Sequence, residues 1–109
     1  MLSKNFMYTV HYKNGVPATT LKDVMQMYVN IMAYAHFKLF GKYMVVTSTT
    51  DGKHGKNSLH YKGFAVDIRI NDKSAVQINQ FVNFLKFHFD KTLDIVLEQD
   101  HIHVEYDPK

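Results

Sequence analysis

The sequence predicts an α+β fold, a small antiparallel sheet with two main helices packed against it. Three observations predict it. Two stretches carry apolar residues at helical spacing. Five short stretches are rich in β-branched and aromatic residues. Their order along the chain is strand, helix, strand, strand, helix, strand, strand, which places helices against one sheet. With 109 residues, the chain fits a single domain spanning 1–109.

The first strand is expected over Phe6–Lys13, which alternates loosely and ends at the turn signal Asn14-Gly15, with Pro17 beyond it. A helix is expected from Thr20, where Thr20-Leu21-Lys22-Asp23 resembles a capping box. Its apolar stripe is Leu21, Val24, Met25, Tyr28, Ile31, Met32 and Ala35, and Gly41 should end it just after Phe40. Met44–Thr47 is a short strand and Ser48–Ser58 a polar loop. In the strand Phe64–Ile70, Val66 and Ile68 share one face and Ala65, Asp67 and Arg69 the other. Ser74 and Gln77 form a capping box for a second helix with the stripe Ile78, Phe81, Val82, Leu85 and Phe89. Asp94–Glu98 and His101–Tyr106 are expected as a hairpin turning at Gln99-Asp100.

Composition excludes several classes. Hydrophobic residues make up 46% and charged residues 21%, so the chain has material for a core and is not a disordered tract. There are no cysteines, which removes disulfide frameworks and thiolate metal sites. The net charge of +3 is mild, the lysines are scattered and Arg69 is the sole arginine. That pattern does not predict a nucleic-acid partner, because base readout favours arginine. A mild positive charge does suit approach to an anionic polymer such as a bacterial cell wall. No stretch reaches the roughly 18 apolar residues of a membrane span. Met1–Tyr12 lacks the apolar run of a signal peptide, so synthesis in the cytoplasm is expected, with delivery by another route for any action outside it.

Two clusters carry chemistry. One is Ser58-Leu59-His60-Tyr61-Lys62-Gly63-Phe64-Ala65-Val66-Asp67, the other Asp100-His101-Ile102-His103-Val104-Glu105. Zinc takes imidazole nitrogen and carboxylate oxygen, and a catalytic site supplies three protein ligands with one position left open. Period two puts His101, His103 and Glu105 on one face of the last strand. If that strand neighbours the one bearing Asp67, then His60, Asp67 and His103 converge. Asp100 from the turn and Glu98 from the preceding strand are both candidate bases. Gly63 would allow a sharp turn and close backbone approach, and Ala65 would leave room beside the site.

The first cluster matches Ser-x-His-x-x-Gly-x-Ala-x-Asp at every fixed position, and the second matches Asp-His-x-His. Together they resemble the D-alanyl-D-alanine carboxypeptidase and phage endolysin family of zinc peptidases, over about Val45–Tyr106. The resemblance implies His60, Asp67 and His103 as zinc ligands, Asp100 as catalytic base and His101 as a transition-state contact. It implies cleavage of amide bonds in peptidoglycan stem peptides, as a carboxypeptidase or an endopeptidase, for instance a phage lysis enzyme made in the infected bacterial host. Family members often carry an arginine just before the first motif. Here residues 47–53 have none, and Lys53 and Ser58 are the candidate substrate contacts.

Other readings stand beside this one. His101 is alternatively a residue orienting a ligand, or a ligand in place of His103. Glu105 either orients a histidine or faces solvent. Ser58 either caps the turn before His60 or bonds a ligand. His11, His36, His54 and His88 are read as surface or half-buried residues, with His54 also a candidate substrate contact. The whole domain has a rival reading as a catalytically inactive zinc-binding or wall-binding module.

Overall fold

The computed structural model describes residues 10–52, 54–55 and 58–109. It is an α+β fold of two helices and a five-stranded, mostly antiparallel sheet. In chain order the elements are β1 (Val10–Tyr12), α1 (Asp23–Phe40), β2 (Met44–Ser48), β3 (Ala65–Arg69), α2 (Ala75–Phe89), β4 (Leu93–Leu97) and β5 (His101–Tyr106). The strands lie in the order β1-β2-β3-β5-β4.

The sheet departs from the expected antiparallel pattern at one edge, where β1 runs parallel to β2. Parallel neighbours need a crossover, and the 18-residue α1 supplies it. The remaining pairs are antiparallel. β3 therefore sits at the centre, with β2 and β5 on either side. Residues 6–9 of the first expected strand lie outside the described residues.

Helix α1 begins at Asp23 rather than Thr20, and no side chain caps it. The Thr20 hydroxyl points elsewhere, 2.7 Å from the Thr50 hydroxyl. The backbone N–H of Lys22 finds the Gly63 carbonyl at 3.0 Å instead. The first turn is thus tied to the loop that carries His60. The helix ends as expected, at Gly41 in the left-handed region (φ 69°). Its buried face is Met25, Val29, Met32, Ala33 and His36, so Ile31, expected inside, is 36% exposed. His36 is a correction too. It lies four residues after Met32, faces Phe81 and Phe40 edge-on, and is fully buried.

Helix α2 starts with the expected reciprocal capping box between Ser74 and Gln77. Its buried residues are Phe81, Val82 and Leu85. Full burial of Phe81 contributes about 2–3 kcal/mol. The helices meet Val46, Val66, Ile68, Ile102 and Val104 from the sheet in one apolar cluster. Val66 and Ile68 of β3, and Ile102 and Val104 of β5, are spent on this core. Asp67, His101, His103 and Glu105 are left on the opposite face.

No helix among the described residues is long and apolar enough to cross a membrane.

Candidate metal centre

Strand pairing sets two of the site's side chains directly opposite each other. Asp67 on β3 pairs with His103 on β5, and Arg69 pairs with His101. On its other side Asp67 faces Ser48 of β2, beside a register shift between Val46 and Ser48. Such an irregularity adds a residue to one strand and re-aims its side chains.

The loop before β3 supplies His60. Thr49, fully buried, anchors that loop: its hydroxyl donates to the Pro17 carbonyl at 2.6 Å and its N–H to Asp51 Oδ1 at 2.8 Å. Its carbonyl accepts from His60 Nδ1 at 2.7 Å. This fixes the ring and turns Nε2 toward Asp67. Ser58 Oγ accepts from the His60 N–H at 3.1 Å, so Ser58 shapes the turn. Gly63 completes it with φ 80°, and a Cβ there would lie 2.8 Å from the Thr20 carbonyl oxygen. No residue with a side chain fits that approach.

These supports bring three donor atoms together. His60 Nε2 lies 3.1 Å from Asp67 Oδ1, His103 Nδ1 lies 3.1 Å from the same oxygen, and the two nitrogens are 3.2 Å apart. A tetrahedral ion with ligands at about 2.0–2.1 Å separates them by roughly 3.3 Å, so this triangle has the size of one coordination face. His103 Nε2 donates to Glu105 Oε1 at 2.7 Å, a contact that would orient the ring for an ion at Nδ1.

A second set shares two of these residues. His54, His60 and Asp67 each offer an atom within 4.8 Å of the others, and this group could hold a metal ion. His54 stacks on His60 with centroids 3.8 Å apart and 7° between planes. Its Nε2 is already engaged by the Asp51 carbonyl at 2.8 Å and lies 3.1 Å from Ser48 Oγ. His103 is the better third donor on geometry, because its Nδ1 points at the pair and its strand register holds it there. The part His54 plays beside His60 was not legible in the sequence. It comes from ring stacking across a polar loop, which has no periodicity to read.

Electrostatics agree with a built cation site. Burial pushes the Asp67 carboxyl upward, yet hydrogen bonds from His103 and His60 outweigh it and hold it well below the usual carboxylate range. The hydrogen bond to Asp67, opposed by burial and helped by Glu105, raises His103 to about 9. Without metal, a proton therefore supplies positive charge beside Asp67.

The remaining residues fall into place around a cleft of about 450 Å³. Asp67, Asp100 and His101 line it, and so do Ser48 and His54. His101 Nδ1 donates to Asp100 Oδ1 at 2.6 Å, while its Nε2 lies 3.5 Å from Asp67 Oδ1. His101 thus stands between Asp100 and Asp67. Ala65, expected to leave room beside the site, is fully buried and does not line this cleft. Lys53 lies outside the described residues. The chain matches no protein-family model and no curated protein.

Proposed function

We propose that the protein is a zinc-dependent peptidase that hydrolyses amide bonds in bacterial peptidoglycan peptides. The observation that carries the reading is the His60–Asp67–His103 triangle, whose Asp67 lines a cleft together with Asp100 and His101. Imidazole and carboxylate donors in this number suit zinc. When bound, zinc would supply Lewis acidity, acidifying water and polarising the scissile carbonyl.

The chain's own groups do the rest. Glu105 holds the His103 ring and the Thr49 carbonyl holds the His60 ring, so both ligands are oriented before an ion arrives. Asp100 and His101 share a short hydrogen bond at the cleft wall, and this pair handles the proton. It takes a proton from water as the water oxygen adds to the carbonyl carbon. It returns a proton to the amine nitrogen as the C–N bond breaks. His101, close to Asp67, also faces the charge that develops on the carbonyl oxygen.

The absence of arginine from residues 47–53 favours a second reading, a metal-holding wall-binding module without turnover. Stem peptides incubated with the zinc-loaded protein separate the two, with products identified by mass. Hydrolysis is expected, falling at least about a hundredfold in Asp100→Asn, the usual size of a general-base contribution. The variant should keep its zinc. Zinc retained by the wild type with no peptide cut would reject the peptidase and leave the module.

A further inference from the structure

Helix α1 is apolar on two sides. Met25, Val29 and Met32 face the core. On the outer side Asp23, Met27, Ile31, Tyr34 and Lys38 follow at intervals of three or four residues, which lines them along one face. All five are exposed, Met27 at 49% and Tyr34 at 44%. A surface helix ordinarily turns a polar face outward, and one that is apolar on both sides is covered on both. Beside this stripe, Ile31, Ala35 and Leu39 of α1 and Phe84, His88 and Phe89 of α2 line a groove of about 420 Å³. Ile31 belongs to both the stripe and the groove.

The charges on the stripe choose its occupant. Helix α1 carries one acidic residue, Asp23 in its first turn, and one lysine, Lys38 in its last. At 1.5 Å per residue they stand roughly 22 Å apart, with the apolar residues between them. A two-fold axis uses the same patch on both chains. If two α1 helices met in parallel, Asp23 would face Asp23 and Lys38 would face Lys38. With the helices antiparallel and the axis near Ile31, each Asp23 lies within a turn of the second copy's Lys38. Met27 and Tyr34 then pack across from each other. The stripe is complementary to itself in that orientation. An anionic membrane would satisfy Lys38 but meet Asp23 with like charge.

We infer that the outer face of α1 is a dimer interface. A second copy of this chain lays its own α1 antiparallel along the stripe and against the groove. Side chains at this spacing interlock with those of a facing helix when the axes are about 8–10 Å apart. The four helices form one bundle, and apolar surface leaves water on both chains. Both helices lie on the sheet face away from Asp67, His101 and His103, so the pairing covers neither metal centre.

Sedimentation velocity of the whole chain, from micromolar to millimolar concentration, is the first test. Wild type should pass from 12.7 kDa to twice that mass. Asp23→Lys and Lys38→Asp each set like charges at both ends of the interface and should weaken the dimer by at least about tenfold. Combining the two exchanges should recover most of it. The combination opposes the helix dipole at both ends, so recovery cannot come from a stronger helix. Circular dichroism checks that each variant is folded. Because the chain has no cysteine, Ile31→Cys adds a lone thiol near the axis, where facing Cα atoms come within disulfide reach. Mild oxidation should link two chains through it, and Val76→Cys on the exposed side of α2 should link far fewer. A wild type that stays monomeric at millimolar concentration overturns the interface. So does a dimer indifferent to both charge variants. A monomer that instead sediments with anionic vesicles would assign the face to a membrane and overturn the dimer as well.

Discussion

Asp67 and His103 sit on neighbouring strands, whereas His60 and His54 sit on the loop between β2 and β3, and different forces hold the two halves. The strand half is fixed by ladder register: Asp67 stands opposite His103, and the alternate residues Val66, Ile68, Ile102 and Val104 are locked in the core. Slipping one of these strands by one residue would turn its two apolar core side chains to the wrong face. The loop half has no such ladder. It depends on a few specific bonds: Thr49 to Pro17, His60 to Thr49, and Gly63 against the start of α1. The site thus joins a part made rigid by the whole sheet to a part made rigid by single contacts.

The largest effect is expected from breaking the strand half. Asp67→Ala should weaken zinc binding by well over about a hundredfold, the upper range for outer-shell changes, because it removes the carboxylate on which both histidines converge. Competition with a chelator of known affinity measures it. A loss under tenfold would mean that the metal is held elsewhere.

Next comes the loop half. Gly63→Ala puts a Cβ 2.8 Å from the Thr20 carbonyl oxygen at a φ of 80°. A loss of about 3 kcal/mol in unfolding stability is expected, combining strain and displacement of backbone. Urea denaturation reads it, and a loss under 0.5 kcal/mol would show that the loop yields easily.

A buried histidine outside the site sharpens the contrast. His36 donates to the Lys42 carbonyl, but its Nε2 is buried without a partner among the described residues. Burial, reinforced by Lys73, lowers it from 6.5 to about 4. The fold therefore favours neutral His36. Its contribution is complete above pH 6.5 and is lost as pH falls toward 4, where the unfolded chain binds a proton that the fold refuses. The shift corresponds to about 3 kcal/mol at most. Asp67 cannot supply this slope, since its stabilisation fades only below its unfolded value of 3.8. His103, raised to about 9, acts in the opposite direction and higher up: its share is complete below 6.5 and lost as pH rises to 9. Metal-free His36→Leu should lose stability less steeply between pH 6.5 and 4 than wild type. Equal slopes would assign the acid sensitivity to another group.

The same contrast explains what the sequence could disclose. Period two in β3 and β5 placed Asp67 and His103 off the core face, because every second residue there is an apolar core residue. The capping box at Ser74 was legible for the same reason, since its partners lie three residues apart. Thr20 looked equally like a cap, but its hydroxyl is drawn to Thr50, and a carbonyl at Gly63 does the capping. Stacking of His54 on His60 and the burial of His36 depend on tertiary neighbours, which local spacing does not encode. The parallel pairing of β1 was hidden as well, because a short edge strand carries little to mark its direction.

The most direct test sets the strand histidine against the loop histidine. Zinc is titrated into wild type, His103→Ala and His54→Ala, with stoichiometry and affinity measured for each. One zinc per chain is expected for wild type, lost or severely weakened in His103→Ala and changed less than about tenfold in His54→Ala, below the usual range for outer-shell partners. Zinc that survives in His103→Ala and disappears in His54→Ala would contradict the His60–Asp67–His103 centre and place the ion on the loop.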